Sequence, residues 1–422
     1  MRLLADVRPL RESRPFRRLW WASTLSSVGS ALTAFALPLQ VYDLTRSPLA
    51  VGALGVAEMV PTLAIGLLGG SLADAVDRRK LILAMTTCSA AVSVALAAQA
   101  YIPLHALWLL YTLAALQSAA GAVRAPAQRA LVPSLLPRHL LPAGLALNRL
   151  SFQVMLIAGP AVAGLIAGVP ALGLPACYLA DAVSFSASLY AVARLPVLGR
   201  EDSSPRPSAR AVAEGISFIR RSQRLAGALL ADLDSTVFAL PVALFPAINA
   251  QRFGGDPRTL GLFMTAIGVG GLLSATFSGP LHHISRQGLA MLGAVVVWGG
   301  AFAGFALVRG LWPTLLLLGL AGAADTVTVV FRGAIVQSST PEHLRGRVTA
   351  AEFVVGAGGG QLGNLESGAL GSLTSPGVSA LAGGLVTVAG AIALGLALPG
   401  LRRYRARPDP TVPEAAGGAA SG

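Results

Sequence analysis

Charged residues are scarce in this sequence. Only 12% of its 422 residues are Asp, Glu, Lys or Arg, whereas 54% are hydrophobic. The mean hydropathy is +0.67. So few charges exclude the ordinary surface of a soluble protein, and the apolar residues collect in stretches of roughly 20 residues, the length of a membrane-spanning helix. The composition therefore predicts a polytopic membrane protein.

Other absences exclude classes of enzyme. There are two cysteines, Cys88 and Cys177, in different apolar stretches, which indicates no disulfide framework. The sequence has no metal-ligand cluster, no glycine–lysine phosphate loop and no context for a nucleophile triad. We therefore expect no enzyme activity, no metal and no cofactor, and an ion gradient rather than ATP as the energy source.

Twelve apolar stretches are long enough to cross a bilayer. They are continuous and do not alternate in short units, so they favour helices over barrel strands. The predicted fold class is an all-α membrane protein with twelve transmembrane helices. The predicted spans are 19–42, 48–71, 81–101, 104–124, 146–168, 175–196, 225–249, 258–281, 288–308, 311–331, 349–372 and 377–400.

The net charge of +13 reflects how basic residues are divided between the two sides of the membrane. Of the 32 basic residues, 28 fall on one predicted side of the membrane, and only Arg46, Arg252, Arg258 and Arg309 fall on the other. Basic residues concentrate in short cytoplasmic loops, so both termini are predicted to be cytoplasmic. The basic composition therefore does not imply a nucleic-acid partner.

The longest polar interruption divides the chain into two sets of six spans. We expect an N-terminal bundle at 1–197, a cytoplasmic linker at 198–224, a C-terminal bundle at 225–403 and a disordered cytoplasmic tail at 404–422. The linker contains the amphipathic segment "AEGISFIRRSQRL", which favours a short helix on the inner membrane surface.

The two halves share residues at a constant separation. Pro38 and Pro246, Arg124 and Arg332, Pro133 and Pro341, and Gln153 and Gln361 are each 208 positions apart. This spacing indicates two parallel six-helix repeats, an architecture typical of transporters that rock two halves around a central site.

A charged motif lies between the second and third spans. Residues 70–79 read Gly-x-x-x-Asp-x-x-Asp-Arg-Arg, which resembles the loop signature of the major facilitator superfamily, with Asp77 in place of its second glycine. Because Asp tolerates left-handed backbone better than most residues, a tight turn there remains compatible with the motif. The segment "SGPLHHISRQG" is the counterpart in the second half, and it has His283 near the position equivalent to Asp74.

The resemblance implies a cytoplasmic gate. In the superfamily the aspartate of this motif pairs with a base on a neighbouring helix in one state and releases it in the other. That role transfers to Asp74, with Arg124 or Arg129 as candidate partner. The predicted gating residues are Gly70, Asp74, Asp77, Arg78, Arg79, Arg124 and Arg129. The alternative for Arg78, Arg79 and Lys80 is that they only fix topology.

Further stretches narrow the resemblance to one subfamily. "LPLQVYDLTRSPLAVG", "RAPAQRALVPSLLP" and "QSSTPEHLRGRVTA" are similar to drug:proton antiporters of the subfamily that includes the enterobactin exporter. The resemblance implies a major facilitator fold of two six-helix bundles in a bacterial inner membrane, and efflux of a siderophore or lipophilic drug in exchange for protons. We expect a monomer surrounded by lipid.

The fifth span carries "IAGPAVAGLIAG", similar to the glycine–proline signature of proton-coupled exporters. Pro160 is expected to bend the helix, and Gly159 and Gly164 to allow close packing. The arginine that many such proteins carry in the fourth span is replaced by Ala114, so any proton mechanism must use other groups.

Ionisable residues inside the membrane are candidates for proton coupling or for the substrate cavity. Burial favours the neutral carboxyl, and Glu58 and Glu366 are expected to be the two deepest acids. Their alternative role is an ion pair with Arg149 or Arg332 that fixes helix packing. Asp325 and Arg332 are seven residues apart, too far to pair directly, and Asp181 and Glu352 are interpreted as structural. The candidates are Glu58, Asp232, Asp234, Asp325, Arg332 and Glu366.

Two functions remain open from the sequence. An exporter explains the repeat and the gate motif together. A non-transporting membrane receptor or scaffold of the same fold explains the hydrophobicity alone.

Overall fold

The computed structural model describes residues 6–75, 77–102, 106–195, 209–279 and 284–405, without the side chains of residues 66–75, 130 and 209. Within these ranges the chain is almost entirely helical and contains no β-strand. The helices are α1 (Arg8–Glu12), α2 (Arg14–Thr45), α3 (Pro48–Ala75), α4 (Arg78–Tyr101), α5 (Leu107–Leu135), α6 (Leu141–Ala167), α7 (Gly173–Ala193), α8 (Ala209–Arg220), α9 (Gln223–Phe238), α10 (Phe245–Phe253), α11 (Pro257–Thr276), α12 (Gln287–Leu307), α13 (Leu311–Ser339), α14 (Arg345–Leu373), α15 (Pro376–Ala397) and α16 (Pro399–Arg402).

Twelve transmembrane helices are confirmed, when α9 and α10 are counted as one span. Ten helical segments of the described chain are long and apolar enough to cross a membrane by composition alone. The other two long helices, α5 and α14, carry the charged residues that we expect in a transport pathway.

Local sequence explains several helix starts. Five helices begin with an N-cap residue whose side-chain oxygen accepts a hydrogen bond from a backbone N–H group of the first turn. These residues are Ser13, Asp77, Ser222, Asp256 and Ser375. Such caps satisfy donors that a helix leaves free, and inside the membrane the helix satisfies the rest.

The predicted seventh span is present, but it is interrupted rather than one continuous helix. α9 ends at Phe238, and a 3₁₀ turn at Val242–Leu244 precedes α10. Pro241 and Pro246 flank this turn and lack the N–H groups that a continuous helix needs. The side-chain oxygen of Asn364 in α14 accepts a hydrogen bond from the Ala243 N–H, at 3.3 Å, and so satisfies part of the interrupted backbone.

Each half packs mainly within itself. In the first half α2 packs on α6 and α7, and α3 packs on α5; in the second, α11 packs on α13, and α12 packs on α13 and α15. Four fully buried rings of the second half, Phe245, Phe263, Phe302 and Phe305, are in edge-to-face contact, and Phe253 and Trp298 extend the cluster. These buried rings hold α10, α11 and α12 together.

The halves meet mainly through two helix pairs, α3 with α14 and α6 with α11, and α10 makes a smaller contact with α2. In the described residues, four hydrogen-bonded pairs join the halves: Leu49 with Ser372, Glu58 with Gln361, Ile157 with Thr265 and Gly168 with Arg258. All four lie between the helix middles and the end predicted to be external. Toward the predicted cytoplasmic end, the described residues of the two halves make no hydrogen bond with each other.

Between the halves, α8 packs along the start of α14. Glu214 contacts Arg210 and Arg347, each at 3.0 Å. A Cβ on Gly215 would clash with the carbonyl of Arg347. The sequence correctly predicted a short helix in this linker, although it begins and ends earlier than the quoted segment.

Candidate transport cavity

The first half lines a cavity of about 270 Å³. Its polar wall comes from α2, α3, α4 and α5, and includes two charged side chains, Glu58 and Arg124. The remaining polar lining residues are Ser30, Thr33, Ser89, Gln117 and Ser118. The sequence placed Glu58 among the candidates for the substrate cavity.

Asp181 is fully buried at the back of this wall, with 0% of its surface exposed. Thr33 and Ser93 donate hydrogen bonds to one carboxylate oxygen, at 2.7 and 2.9 Å, and Ser30 reaches the other at 3.5 Å. Arg124 lies within electrostatic range of Asp181. Asp181 therefore anchors the wall of the cavity.

Arg124 is oriented toward the interior of the first half. Its guanidinium carbon lies 5.2 Å from the ring centre of Phe185 in α7. This cation–π contact and the nearby Asp181 compensate a charge removed from water. Arg124 thus has two partners other than Asp74 in this conformation.

Glu58 forms the innermost hydrogen bond between α3 and α14. Its carboxylate accepts a hydrogen bond from the side-chain amide of Gln361, at 3.2 Å. Gln361 in turn accepts one from Asn364, also at 3.2 Å. Glu58 also lines the first cavity, so one carboxylate contacts both the cavity and the interface of the halves.

The second half has an ion pair at the position related to Arg124 by the repeat. Arg332 Nη1 lies 2.5 Å from Asp232 Oδ2, and Asp232 is 6% exposed. The prediction that Arg332 pairs with a residue other than Asp325 is confirmed. Asp325 and Glu352 lie within electrostatic range of this pair but make no ion pair with another described residue.

Asp234 points away from the ion pair. A Cβ on Gly390 of α15 would lie 2.4 Å from its Oδ1, and its Oδ2 is buried without a hydrogen-bond partner in the described part. Asp232 and Asp234 therefore lie on different faces of α9, as their two-residue spacing predicts.

The expectation that Glu58 and Glu366 are the two deepest acids was wrong, because both are only half-buried. Asp181 and Asp232 are buried, whereas Glu366 is half-buried and shares a helix face with the exposed Leu362 and Leu373. The flanking apolar sequence suggested depth because it does not reveal which face of α14 turns outward. The depth of Asp181 was not expected, because its partners Ser30, Thr33 and Ser93 come from two other helices and its own sequence neighbours do not reveal them.

The gate motif is described in part. The side chain of Asp74 lies outside the described part of the chain, and nothing beyond the helical backbone is described for Gly70. Asp77 has φ −54°, and its carboxylate caps α4 by accepting from the Arg79 N–H at 2.8 Å. The tolerance of Asp for left-handed backbone is therefore not used at position 77, because an N-cap needs only an acceptor side chain.

The basic residues of the predicted gate have different surroundings. Arg79 donates a hydrogen bond to the carbonyl of Ala193, at the end of α7. Arg78 is half-buried, whereas Arg129 is exposed and has no ion-pair partner in the described chain.

The glycine–proline motif lies at the contact of α6 with α11 and α2. A Cβ on Gly164 would lie 2.8 Å from the Pro257 carbonyl oxygen, and one on Gly159 would lie 2.4 Å from Ala31. A Cβ on Gly261 would lie 2.6 Å from the carbonyl oxygen of Pro160. These residues let backbones approach closely, as small residues do between membrane helices.

Solved transporters share the fold. The crystal structure of the nucleoside transporter NupG aligns with a TM-score of 0.72 at 15% identity, over 93% of this chain and all of that one. A bacterial homologue of the iron transporter ferroportin, in an inward-facing state, aligns with a TM-score of 0.71 at 17% identity, over 92% of this chain and 98% of that one.

Sequence comparison gives relatives over nearly the full length. Proteins named enterobactin exporter EntS from Shigella boydii serotype 18 (strain CDC 3083-94 / BS512) and Escherichia coli O1:K1 / APEC are 29% identical over 412 residues, which cover 96% of this chain and 97% of each relative. The model of the family described as transmembrane secretion effector matches residues 5–415. This chain therefore belongs to the transmembrane secretion effector family of the major facilitator superfamily.

Proposed function

We propose that this protein is a secondary active exporter that moves a small organic molecule out of the cell by alternating access, in exchange for protons. One observation carries the proposal: among the described residues, hydrogen bonds join the halves toward one end, and charged side chains of both halves lie beneath the joined region. Two halves that exchange contact between their ends expose a central site to one side at a time.

The conformation corresponds to an inward-open state in this proposal. The contacts of α3 with α14 and of α6 with α11 close the predicted external end. The 28-to-4 division of basic residues supports the assignment of the open end to the cytoplasm. In the opposite state Asp74 closes the cytoplasmic end by pairing with a base such as Arg129, which is free in the described chain.

The coupling role falls first to Glu58. Its carboxylate lies in the cavity and also accepts a hydrogen bond from the other half. Protonation removes the charge that strengthens this hydrogen bond, so proton binding changes the stability of the external closure. Asp325, which is exposed and lies near the Asp232–Arg332 pair of the second half, is the second candidate.

The substrate is a siderophore or a lipophilic drug, and the cavity charge limits the choice. Acids outnumber bases among the charged groups of the first-half cavity and around the Asp232–Arg332 pair, so a neutral or cationic molecule is favoured over an anion of the same size. The counted acids are Glu58, Asp181, Asp232, Asp325 and Glu352, against Arg124, Arg332 and Arg345, which lines a pocket with Glu352. The relatives named enterobactin exporters support an organic substrate.

The test is transport in proteoliposomes that contain the purified full-length protein. A tris-catechol siderophore and a lipophilic cationic dye serve as probes, with and without an imposed pH gradient. Export predicts gradient-dependent accumulation of at least one probe, and a Glu58→Gln variant is expected to exchange the probe but not to concentrate it. Glu366→Gln is the matched control, since Glu366 lies on the outward face with Leu362.

A further inference from the structure

A basic cleft lies at the predicted cytoplasmic end of the second half, away from the central cavity. It has a volume of about 380 Å³ and opens between the start of α9 and the chain that follows α15. Its lining residues are Arg224, Pro399, Gly400, Arg403, Tyr404 and Arg405.

The cleft has a fixed wall. Leu401 is fully buried against the backbones of α9 and α12. The Tyr404 hydroxyl lies 2.6 Å from the Ser338 hydroxyl, and the Arg224 guanidinium carbon lies 5.7 Å from the Tyr404 ring centre. The Gly400 N–H donates to the Gln223 side chain at 3.1 Å. These contacts hold the segment after α15 against the start of α9.

The charge of the cleft is uncompensated. Three arginines line it, and none forms an ion pair with another described residue. The two chain segments that build it, 215–231 and 367–405, contain no Asp or Glu. The three exposed guanidinium groups on the cleft walls are available to an anion, and their planar donor forks match phosphate oxygens.

We propose that this cleft binds the phosphate group of an anionic phospholipid headgroup. The cleft lies where two membrane helices reach the predicted cytoplasmic surface, the position at which basic pockets bind acidic headgroups. The same helices expose Leu230 and Leu396 farther along toward the membrane interior, which provides apolar surface for an acyl chain. Lipid bound there links α9, whose Asp232 holds Arg332, to the end of α15.

The experiment measures lipid binding to the purified full-length protein by native mass spectrometry. Phosphatidylglycerol is compared with phosphatidylcholine, and the variant R224Q/R403Q/R405Q is compared with the wild type. The matched control, R11Q/R18Q/R138Q, removes three arginines from the first half on the same predicted side. The wild type and the control are expected to bind phosphatidylglycerol at least tenfold more tightly than phosphatidylcholine, and the cleft variant is expected to lose this preference.

A competition with inorganic phosphate distinguishes the lipid headgroup from free phosphate, and a second variant keeps the test valid if the first one does not fold. Inorganic phosphate in excess should lower phosphatidylglycerol binding; binding of inorganic phosphate without any preference for the lipid would overturn the proposal. If the Gln variant fails to fold, R224K/R403K/R405K keeps the charge but loses the donor forks, and we expect weaker binding than in the wild type. Lipid binding of either cleft variant equal to that of the control contradicts the assigned site.

Discussion

Replacement of Gly164 by alanine tests the closure at the predicted external end. The new Cβ would lie 2.8 Å from the Pro257 carbonyl oxygen, 3.1 Å from the Gly261 Cα and 3.3 Å from the Arg258 Cα. All three neighbours are backbone atoms, so no side-chain rotation relieves the overlap. The helices α6 and α11 must separate.

The expected destabilisation of the externally closed state by Gly164→Ala equals the cost of overpacking, about 1–3 kcal/mol. The gain in helix propensity from Gly to Ala is present in both transport states and cancels in their difference. The overlap exists only where α6 touches α11, so the externally closed state loses a population factor of roughly 5–150 relative to the externally open state.

The assay is labelling of a single cysteine. Thr265→Cys, at the α6–α11 contact, is placed in a background without Cys88 and Cys177, and a membrane-impermeant maleimide is applied from outside. Gly164→Ala should accelerate labelling at least fivefold. Gly300→Ala is the control, because its Cβ would meet no atom within 4 Å. Equal labelling rates in the two variants would refute the reasoning.

Three further outcomes are expected. Arg332→Met leaves the buried Asp232 carboxylate without its partner, which costs about 3–5 kcal/mol. Thermal unfolding of this variant in detergent should therefore begin at a lower temperature than that of the wild type. The control variant Arg129→Met should unfold like the wild type. Of two size-matched lipophilic probes of opposite charge, the cation should be transported faster, and a faster anion would contradict the charge balance assigned to the cavity. Reporter fusions after Arg46 and Arg258 should both report the outside, and a cytoplasmic signal from either would overturn the predicted topology.

Most of the fold could be predicted from the sequence because the membrane imposes it. An apolar stretch of sufficient length must be helical to satisfy its backbone, so the spans could be located from the sequence. The break before α10 could not be predicted in the same way. It depends on the position of Asn364, a side chain of another helix that satisfies part of the interrupted backbone. No local pattern reveals such a partner.

The candidate site was less predictable. Ionisable residues in apolar stretches were the signal for Glu58, which lines the first-half cavity, and for Asp232 and Arg332, which form an ion pair in the second half. The sequence could not assign their partners, because contacts such as Glu58 with Gln361 depend on how two halves meet. The helix face of Glu366 also depends on that packing, since most sides of a membrane helix are apolar.

Uphill transport against a substrate gradient is the most direct test of the central claim. Proteoliposomes with the full-length protein are given the tris-catechol siderophore or the lipophilic cation, and an imposed pH gradient is the only source of energy. We predict accumulation of a probe in the compartment from which protons flow, loss of that accumulation when the gradient is collapsed, and loss of accumulation with retained exchange in Glu58→Gln. Accumulation that is unchanged without the pH gradient would contradict proton-driven export by this protein.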